Sequence, residues 1–298
     1  MFTSFGLGEA YSLAAAFCWA VAVILLKKSG ESLPPFALNL VKNLLCLLAL
    51  GLTLWVVGPR QLPEIPPRWL AQTLISGALG IAVADTLYFR ALNTIGAARM
   101  GVIGTAYSPG VILLAALFLG ERMSLFQLGG VALTIAGIVL VTYTRTANAI
   151  DAAALRQGAL LGVLSVGVMA AGVILAKPVL ETQDFLWVVF LRVTAGVALM
   201  LLTATLRREW LALLAAARAV RHWPAVITGS LMSSYVSQMF WLAGYKYADA
   251  SIAAVINELA AIIILGLATW LLRERLTLQQ LVGGVLAVAG VLAVVLLR

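Results

Sequence analysis

Residues 121–138 read ERMSLFQLGGVALTIAGI, and residues 274–291 read ERLTLQQLVGGVLAVAGV. At a constant offset of 153, nine of these 18 positions are identical, the leading Glu-Arg pair among them. A shared apolar composition produces matching leucines and valines, but it does not place charged residues in register. A second set of matches has an offset of 150: Gly8 with Gly158, Val23-Ile24-Leu25 with Val173-Ile174-Leu175, Lys27 with Lys177, and Glu31 with Glu181. The chain therefore reads as two homologous halves, 1–144 and 156–298, joined by a linker loop over 145–155.

Working outward from the repeat, the apolar content sets the environment. Of 298 residues, 63% are hydrophobic and 11% charged, against about 45–50% and about 25% in soluble domains. A soluble enzyme and a disordered chain are both excluded. A helix needs about 20 apolar residues to cross a hydrocarbon core of about 30 Å. Ten such stretches are present: Glu9–Leu26, Phe36–Val57, Trp69–Phe89, Ala97–Leu119, Leu125–Tyr143, Gly158–Ala176, Phe185–Leu206, Trp223–Tyr245, Ser251–Leu272 and Leu278–Leu297. The runs are continuous rather than alternating, which argues against a barrel. The expected fold is an all-α polytopic membrane protein. Five spans per half is an odd number, so the second half enters the membrane with the opposite orientation. Inverted-topology repeats are characteristic of secondary transporters, with a site near the midplane at the repeat interface. Duplication in a channel or scaffold is the plainer reading.

Loop charge sets the orientation. The loops on the side away from the termini carry 12 basic residues: Lys27, Lys28, Arg90, Arg99, Arg145, Arg156, Arg207, Arg208, Arg218, Arg221, Arg273 and Arg275. The side of the termini carries six: Arg60, Arg68, Arg122, Lys177, Lys246 and Arg298. This places both termini outside a cytoplasmic membrane. The net charge of +8 is then a topology signal and an attraction to anionic lipid, not a nucleic-acid surface. Cys18 and Cys46 lie in apolar runs, and the single His222 has no cluster around it, so no disulfide framework, metal site or cofactor is expected. No Lys or Arg precedes Lys27, so the first run lacks a signal-peptide n-region and is expected to stay as a span.

Packing and polar residues complete the reading. Gly130 and Gly137, and likewise Gly283 and Gly290, are two turns apart on one helix face. Small residues permit close helix approach in lipid, so the fifth and tenth spans are expected to pack together within a monomer. Gly158 and Gly162 form a further GxxxG surface. An ionisable residue inside a span marks a functional site by default. Counting about 1.5 Å per residue, Glu258 lies near the midplane with Asn257 beside it. Asp85 lies late in the third span, and Gln238 matches it at the 153 offset. Lys42 and Arg192 lie inside their spans on opposite sides of the membrane. For these two, the structural alternative is snorkelling to the headgroups; for Asp85 it is a pair with Arg90, Arg99 or a helix end. Trp19, Tyr107 and Tyr235 share the level of Glu258, with Ser233, Ser234, Ser108 and Met169 close by. Each aromatic taken alone is as readily packing as ligand. Tyr88, Trp241 and Tyr245 fall nearer helix ends and read as interfacial belts. Pro109 can break backbone bonding in the fourth span and act as a hinge.

The chain resembles the drug/metabolite transporter superfamily in its EamA-domain branch. The resemblance rests on the two five-helix halves, on Trp19 with Lys27, and on Pro109 followed by Leu119-Gly120-Glu121-Arg122. Leu272-Arg273-Glu274-Arg275, the Gly-rich fifth and tenth spans, and the basic Lys42 and Arg192 also carry it. The position matching Pro109 in the second half is Ile262. The resemblance implies a central cavity lined by the first, third, fourth, sixth, eighth and ninth spans, and export of amino acids or related metabolites by alternating access. The partners expected are a small-molecule substrate, possible protons and membrane lipid. Trp19, Tyr107, Tyr235, Asn257, Glu258, Ser233, Ser234 and Met169 are the candidate substrate residues. Glu258, Asp85, Gln238, Lys42, Arg192 and Pro109 are the candidates for coupling and gating. A carboxylate ringed by aromatics also suits a quaternary ammonium, so a multidrug transporter is the second reading. A channel and an intramembrane lipid-modifying enzyme stand behind it, the latter without a visible nucleophile–base pair.

Overall fold

A computed structural model describes residues 6–29, 33–59, 63–119, 125–142, 151–247, 250–273 and 277–296, with the backbone alone at some helical positions, Glu258 among them. Glu31, Arg60, the Glu121-Arg122 and Glu274-Arg275 ends of the repeated segments, Tyr143, Arg145, Arg298 and most of the 145–155 linker lie outside the described residues. The elements are α1 (Leu7–Ser29), α2 (Pro35–Val57), α3 (Pro67–Gly77), π1 (Ala78–Ala84), α4 (Asp85–Ile95), α5 (Ala97–Gly104), α6 (Tyr107–Leu119) and α7 (Leu125–Thr142), followed by α8 (Ala152–Thr182), α9 (Phe185–Leu206), α10 (Trp210–Ala219), α11 (Trp223–Ser230), π2 (Leu231–Ser237), α12 (Gln238–Tyr247), α13 (Ala250–Leu271) and α14 (Leu278–Leu296). Among the described residues, five stretches are long and apolar enough to cross a membrane: Leu7–Lys27, Pro35–Val57, Pro67–Ile95, Ala152–Thr182 and Phe185–Leu206. The short α10 occupies what the apolar-run count treats as the loop between the seventh and eighth spans.

Local chemistry sets the helix ends. Pro35 and Pro67 open α2 and α3, where the missing N–H costs no helical bond. Asp184 caps α9, its Oδ1 accepting from Trp187 N at 3.0 Å. Gly96, at φ 87°, ends α4 in a left-handed region open to glycine. The Gly96 N–H donates to the Leu92 carbonyl, and Lys27 Nζ adds bonds to the last-turn carbonyls of Leu92 at 3.0 Å and Asn93 at 3.4 Å. The fourth span breaks at Thr105–Ala106 rather than at Pro109 itself. Pro109 lacks the N–H that would reach Thr105, and its ring crowds that carbonyl, so the chain leaves the helix one turn upstream of the proline.

The packing inverts the rule for soluble proteins. Trp55, Leu48, Leu125, Leu160 and Trp270 are exposed on the outside, as a lipid-facing surface requires. Asn39, Asn43, Ser76, Thr105, Ser165 and Ser233 are buried inside. Their donors are satisfied by one another or by backbone carbonyls: Ser76 Oγ donates to Gly172 O at 2.5 Å and Ser165 Oγ to Ala84 O at 2.8 Å.

The two repeats interlock instead of standing as separate units. α1 of the first half packs on α13 of the second, and α8 packs on α4 and α6 in the same exchanged way. The most extensive contact is α7 against α14. A Cβ at Gly137 would strike the Gly283 carbonyl, and one at Gly290 would strike the Gly130 carbonyl and Thr134. Thr134 Oγ1 reaches the Ala287 carbonyl at 3.3 Å. Thr134 and Ala287 are repeat partners at the 153 offset, so the pseudo-two-fold axis passes between them.

Candidate functional site

The third and eighth spans share a deviation that hydropathy does not reveal. Each is interrupted by seven residues of π-helix, Ala78–Ala84 and Leu231–Ser237. These segments coincide at the 153 offset, so the repeat extends to backbone geometry. A π segment widens the helix and shifts its hydrogen bonding, and such segments concentrate at functional sites. In lipid the displaced carbonyls need partners, and α2 supplies them. Asn39 Nδ2 donates to Ile81 O at 2.8 Å, and Cys46 Sγ donates to Ser234 O at 2.8 Å. Ile81 and Ser234 are themselves repeat partners.

The first residue after each π segment is polar: Asp85 in one half and Gln238 in the other. Both line a central cavity of about 180 Å³. α2 packs on α4, which brings Lys42 Nζ onto Asp85 Oδ2 in a buried ion pair. Lys42 also lies 5.3 Å above the Phe89 ring, a cation–π contact. A buried pair of this kind persists only where further bonds offset desolvation. The neighbouring network is correspondingly complete on the donor side: Asn39 donates to Thr86 at 3.0 Å and Asn43 to Asn39 Oδ1 at 2.7 Å.

The second half departs from this arrangement. α9 packs on α3 and π1 rather than on α12. Its close approach depends on Gly77, where any Cβ would collide with the Arg192 carbonyl. Arg192 is only 3% exposed, and its Nε and Nη1 have no hydrogen-bond partner among the described residues. Asp85 and Tyr107 lie within electrostatic range of the guanidinium. Among the described lining residues, two cations, Lys42 and Arg192, thus face one carboxylate, Asp85.

Two aromatic walls flank these charges. Trp19 packs on Tyr88 with ring centroids 5.5 Å apart, and Tyr107 packs on Trp241 at 6.2 Å. Met100, Met169, Ser233, Ser237 and Asn257 also line the space, and Asn257 Nδ2 has no partner among the described residues.

Several sequence-based expectations are relocated. Lys42 and Arg192 meet at one cavity, although their depths read as opposite sides of the membrane, because α2 and α9 pack directly on each other and both also pack on the third span. The second and seventh spans therefore join the lining. Asp85 pairs with Lys42, not with Arg90, Arg99 or a helix end. Tyr235 turns away from the cavity and bonds the Thr53 hydroxyl at 2.6 Å. Ser234 and Pro109 are not among the lining residues, and Ser108 is buried elsewhere. Glu258 lies on α13 next to Asn257, but its side chain is outside the described residues. Tyr88 and Trp241 line the cavity, and Tyr245 is buried edge-on to Trp241 at 5.4 Å, so none of the three is an interfacial anchor. Trp241 and Tyr88 are repeat partners at the 153 offset, so the two belong to the site together. No groups of three or more His, Cys, Asp or Glu that could hold a metal occur among the described residues.

The EamA-like transporter family model matches residues 6–143 and 156–296. A solved structure described only as "Crystal structure of protein" superposes with a TM-score of 0.69 and 19% identity, over 97% of this chain and 96% of that one; the likeness shows the fold. No curated protein matches the chain significantly.

Proposed function

The chain belongs to the EamA-like transporter family, a multi-pass membrane protein that moves small molecules, and from that premise we propose that it is a secondary active transporter exporting amino acids or related metabolites across the cytoplasmic membrane. Alternating access runs around the central cavity, with both termini on the outer side. The observation that carries the reading is a charged, aromatic-walled cavity built jointly by the two inverted repeats. Because the repeats interlock, the moving bodies are bundles that mix helices of both halves, not the halves themselves. The Lys42–Asp85 contact closes α2 on α4, and the matching α9–α12 contact is not made to a comparable extent. Exchange of these two arrangements between the halves would open one side as it closes the other.

The cavity of about 180 Å³ is smaller than the roughly 300–1,000 Å³ of drug-sized pockets. This favours a metabolite over a bulky drug. Trp19, Tyr107, Trp241 and Met169 would hold the apolar part of the solute, Asn257 and Ser233 its polar edge, and Glu258 its ammonium group or a coupling proton.

Purified protein in proteoliposomes, loaded with a panel of radiolabelled amino acids, tests the proposal. Efflux of at least one amino acid above empty liposomes is expected, and Glu258→Gln is expected to slow it and flatten its pH dependence. Parental rate and pH profile in Glu258→Gln would remove that residue from the mechanism. Transport of quaternary amines in place of amino acids would establish the second reading, and unitary currents in planar bilayers would establish a channel.

A further inference from the structure

Arg192 has no counter-ion of its own among the described residues. At the repeat offsets, Lys42 corresponds to Arg192 and Asp85 to Gln238. One half thus holds a cation with its carboxylate, and the other holds a cation with a neutral amide. Gln238 has no formal charge to offer, and Asp85 is already bonded to Lys42. The Arg192 side chain is buried and lines the cavity, with two nitrogen donors unused. A buried charge without a partner is costly in a protein interior and in a membrane. An arginine so placed is satisfied by whatever enters the cavity. Its planar fork matches a carboxylate bidentately.

We infer that Arg192 anchors an anion subsite, and that the transported solute is an organic monocarboxylate, amino acids included. The inference rests on the transporter reading above and names the substrate class for the same cavity. Lys42 is offset by Asp85, so the subsite presents the single charge of Arg192, which matches a monocarboxylate better than a dianionic phosphate. The flanking pairs Trp19/Tyr88 and Tyr107/Trp241 supply apolar surface for the rest of the molecule. Selection acts on the carboxylate, so the ammonium group of an amino acid is dispensable for binding.

The test uses the purified full chain in detergent and four probes of similar shape or opposite charge: L-leucine, 4-methylpentanoate, leucinamide and tetraethylammonium, with inorganic phosphate as a fifth. Ligands that bind the folded state raise its melting temperature. Leucine and 4-methylpentanoate are expected to stabilise the protein, and leucinamide and tetraethylammonium are not. Arg192→Gln is expected to weaken both carboxylates at least about tenfold, the loss of one charge-assisted bond, and Arg192→Lys to give an intermediate affinity. Without ligand, Arg192→Gln is expected to melt no lower than the parent, because it strands no charge, which separates lost binding from lost folding. If it fails to fold, the comparison of leucine with leucinamide on the parent protein decides.

Equal stabilisation by leucine and leucinamide, no stabilisation by any carboxylate, undiminished carboxylate binding in Arg192→Gln, or a shift with phosphate alone would each overturn the inference. The same solutes in proteoliposomes separate it from the transporter reading. Carboxylates that bind but do not cross would leave the subsite standing and remove transport. Amines that cross while carboxylates neither bind nor cross would leave transport standing and remove the subsite.

Discussion

Asp85→Asn is expected to destabilise the folded protein by about 3–5 kcal/mol, the cost of stranding one member of a buried ion pair. The carboxylate is the only described negative charge lining the cavity, and two cations lie around it. Among the described residues, its removal leaves Lys42 and Arg192 both uncompensated. Lys42→Met is expected to cost less, because the freed carboxylate still has the Arg192 guanidinium within range. The double replacement Lys42→Met with Asp85→Leu is expected to return close to the parental stability, since well-packed apolar residues often replace a buried pair without loss. Thermal unfolding in detergent, followed as the loss of the monodisperse peak, measures all three, and the cycle isolates the coupling. Identical melting of Asp85→Asn and the parent would mean that the pair contributes nothing. In liposomes the double variant is expected to be folded but slow, because the contact that closes α2 on α4 is then no longer polar.

Gly77→Ala is expected to be the most disruptive single-methyl change in the chain's interior, although alanine is the better helix former by about 0.8–1 kcal/mol. The added Cβ would meet the Arg192 carbonyl oxygen, a backbone atom that no rotamer change can remove. α3 and α9 must then separate, which costs about 1–3 kcal/mol or more as overpacking and carries Arg192 out of register with Asp85. Loss of carboxylate binding is therefore expected together with loss of stability. Gly167→Ala is the control: nothing lies within 4 Å of a Cβ there, so the propensity gain should appear undiminished. If Gly77→Ala melts above the parent as Gly167→Ala does, the close approach of α3 and α9 is wrong.

Much of the architecture was legible in the chain. The span pattern follows from hydropathy because lipid demands about 20 apolar residues per crossing. The inversion follows from an odd number of spans per repeat. The paired glycines of the fifth and tenth spans were readable because close approach in lipid requires small side chains at helical spacing. The site was legible only in part. Depth along a span locates a residue's level but not the direction it faces. Tyr235 and Trp19 therefore read alike, yet one bonds Thr53 and the other lines the cavity. Tyr88 and Trp241 read as interfacial because their rank within a span places them near its end, while both in fact line the central cavity just after the π segments.

By itself, the sequence determined the environment, the span pattern, the two inverted halves and the pairing of Asp85 with Gln238 and of Lys42 with Arg192 across them. These are one-dimensional properties: composition, period and offset. Only the tertiary structure decided that the repeats interlock, that two π segments widen the third and eighth spans, and that Lys42 meets Asp85 while Arg192 has no such partner among the described residues. The reason is physical. Contacts between residues 43 positions apart for Lys42 and Asp85, and between Gly77 and Arg192 in different repeats, depend on how closely three helices approach. That distance is set by the absence of a side chain at Gly77, and it carries no periodic signal.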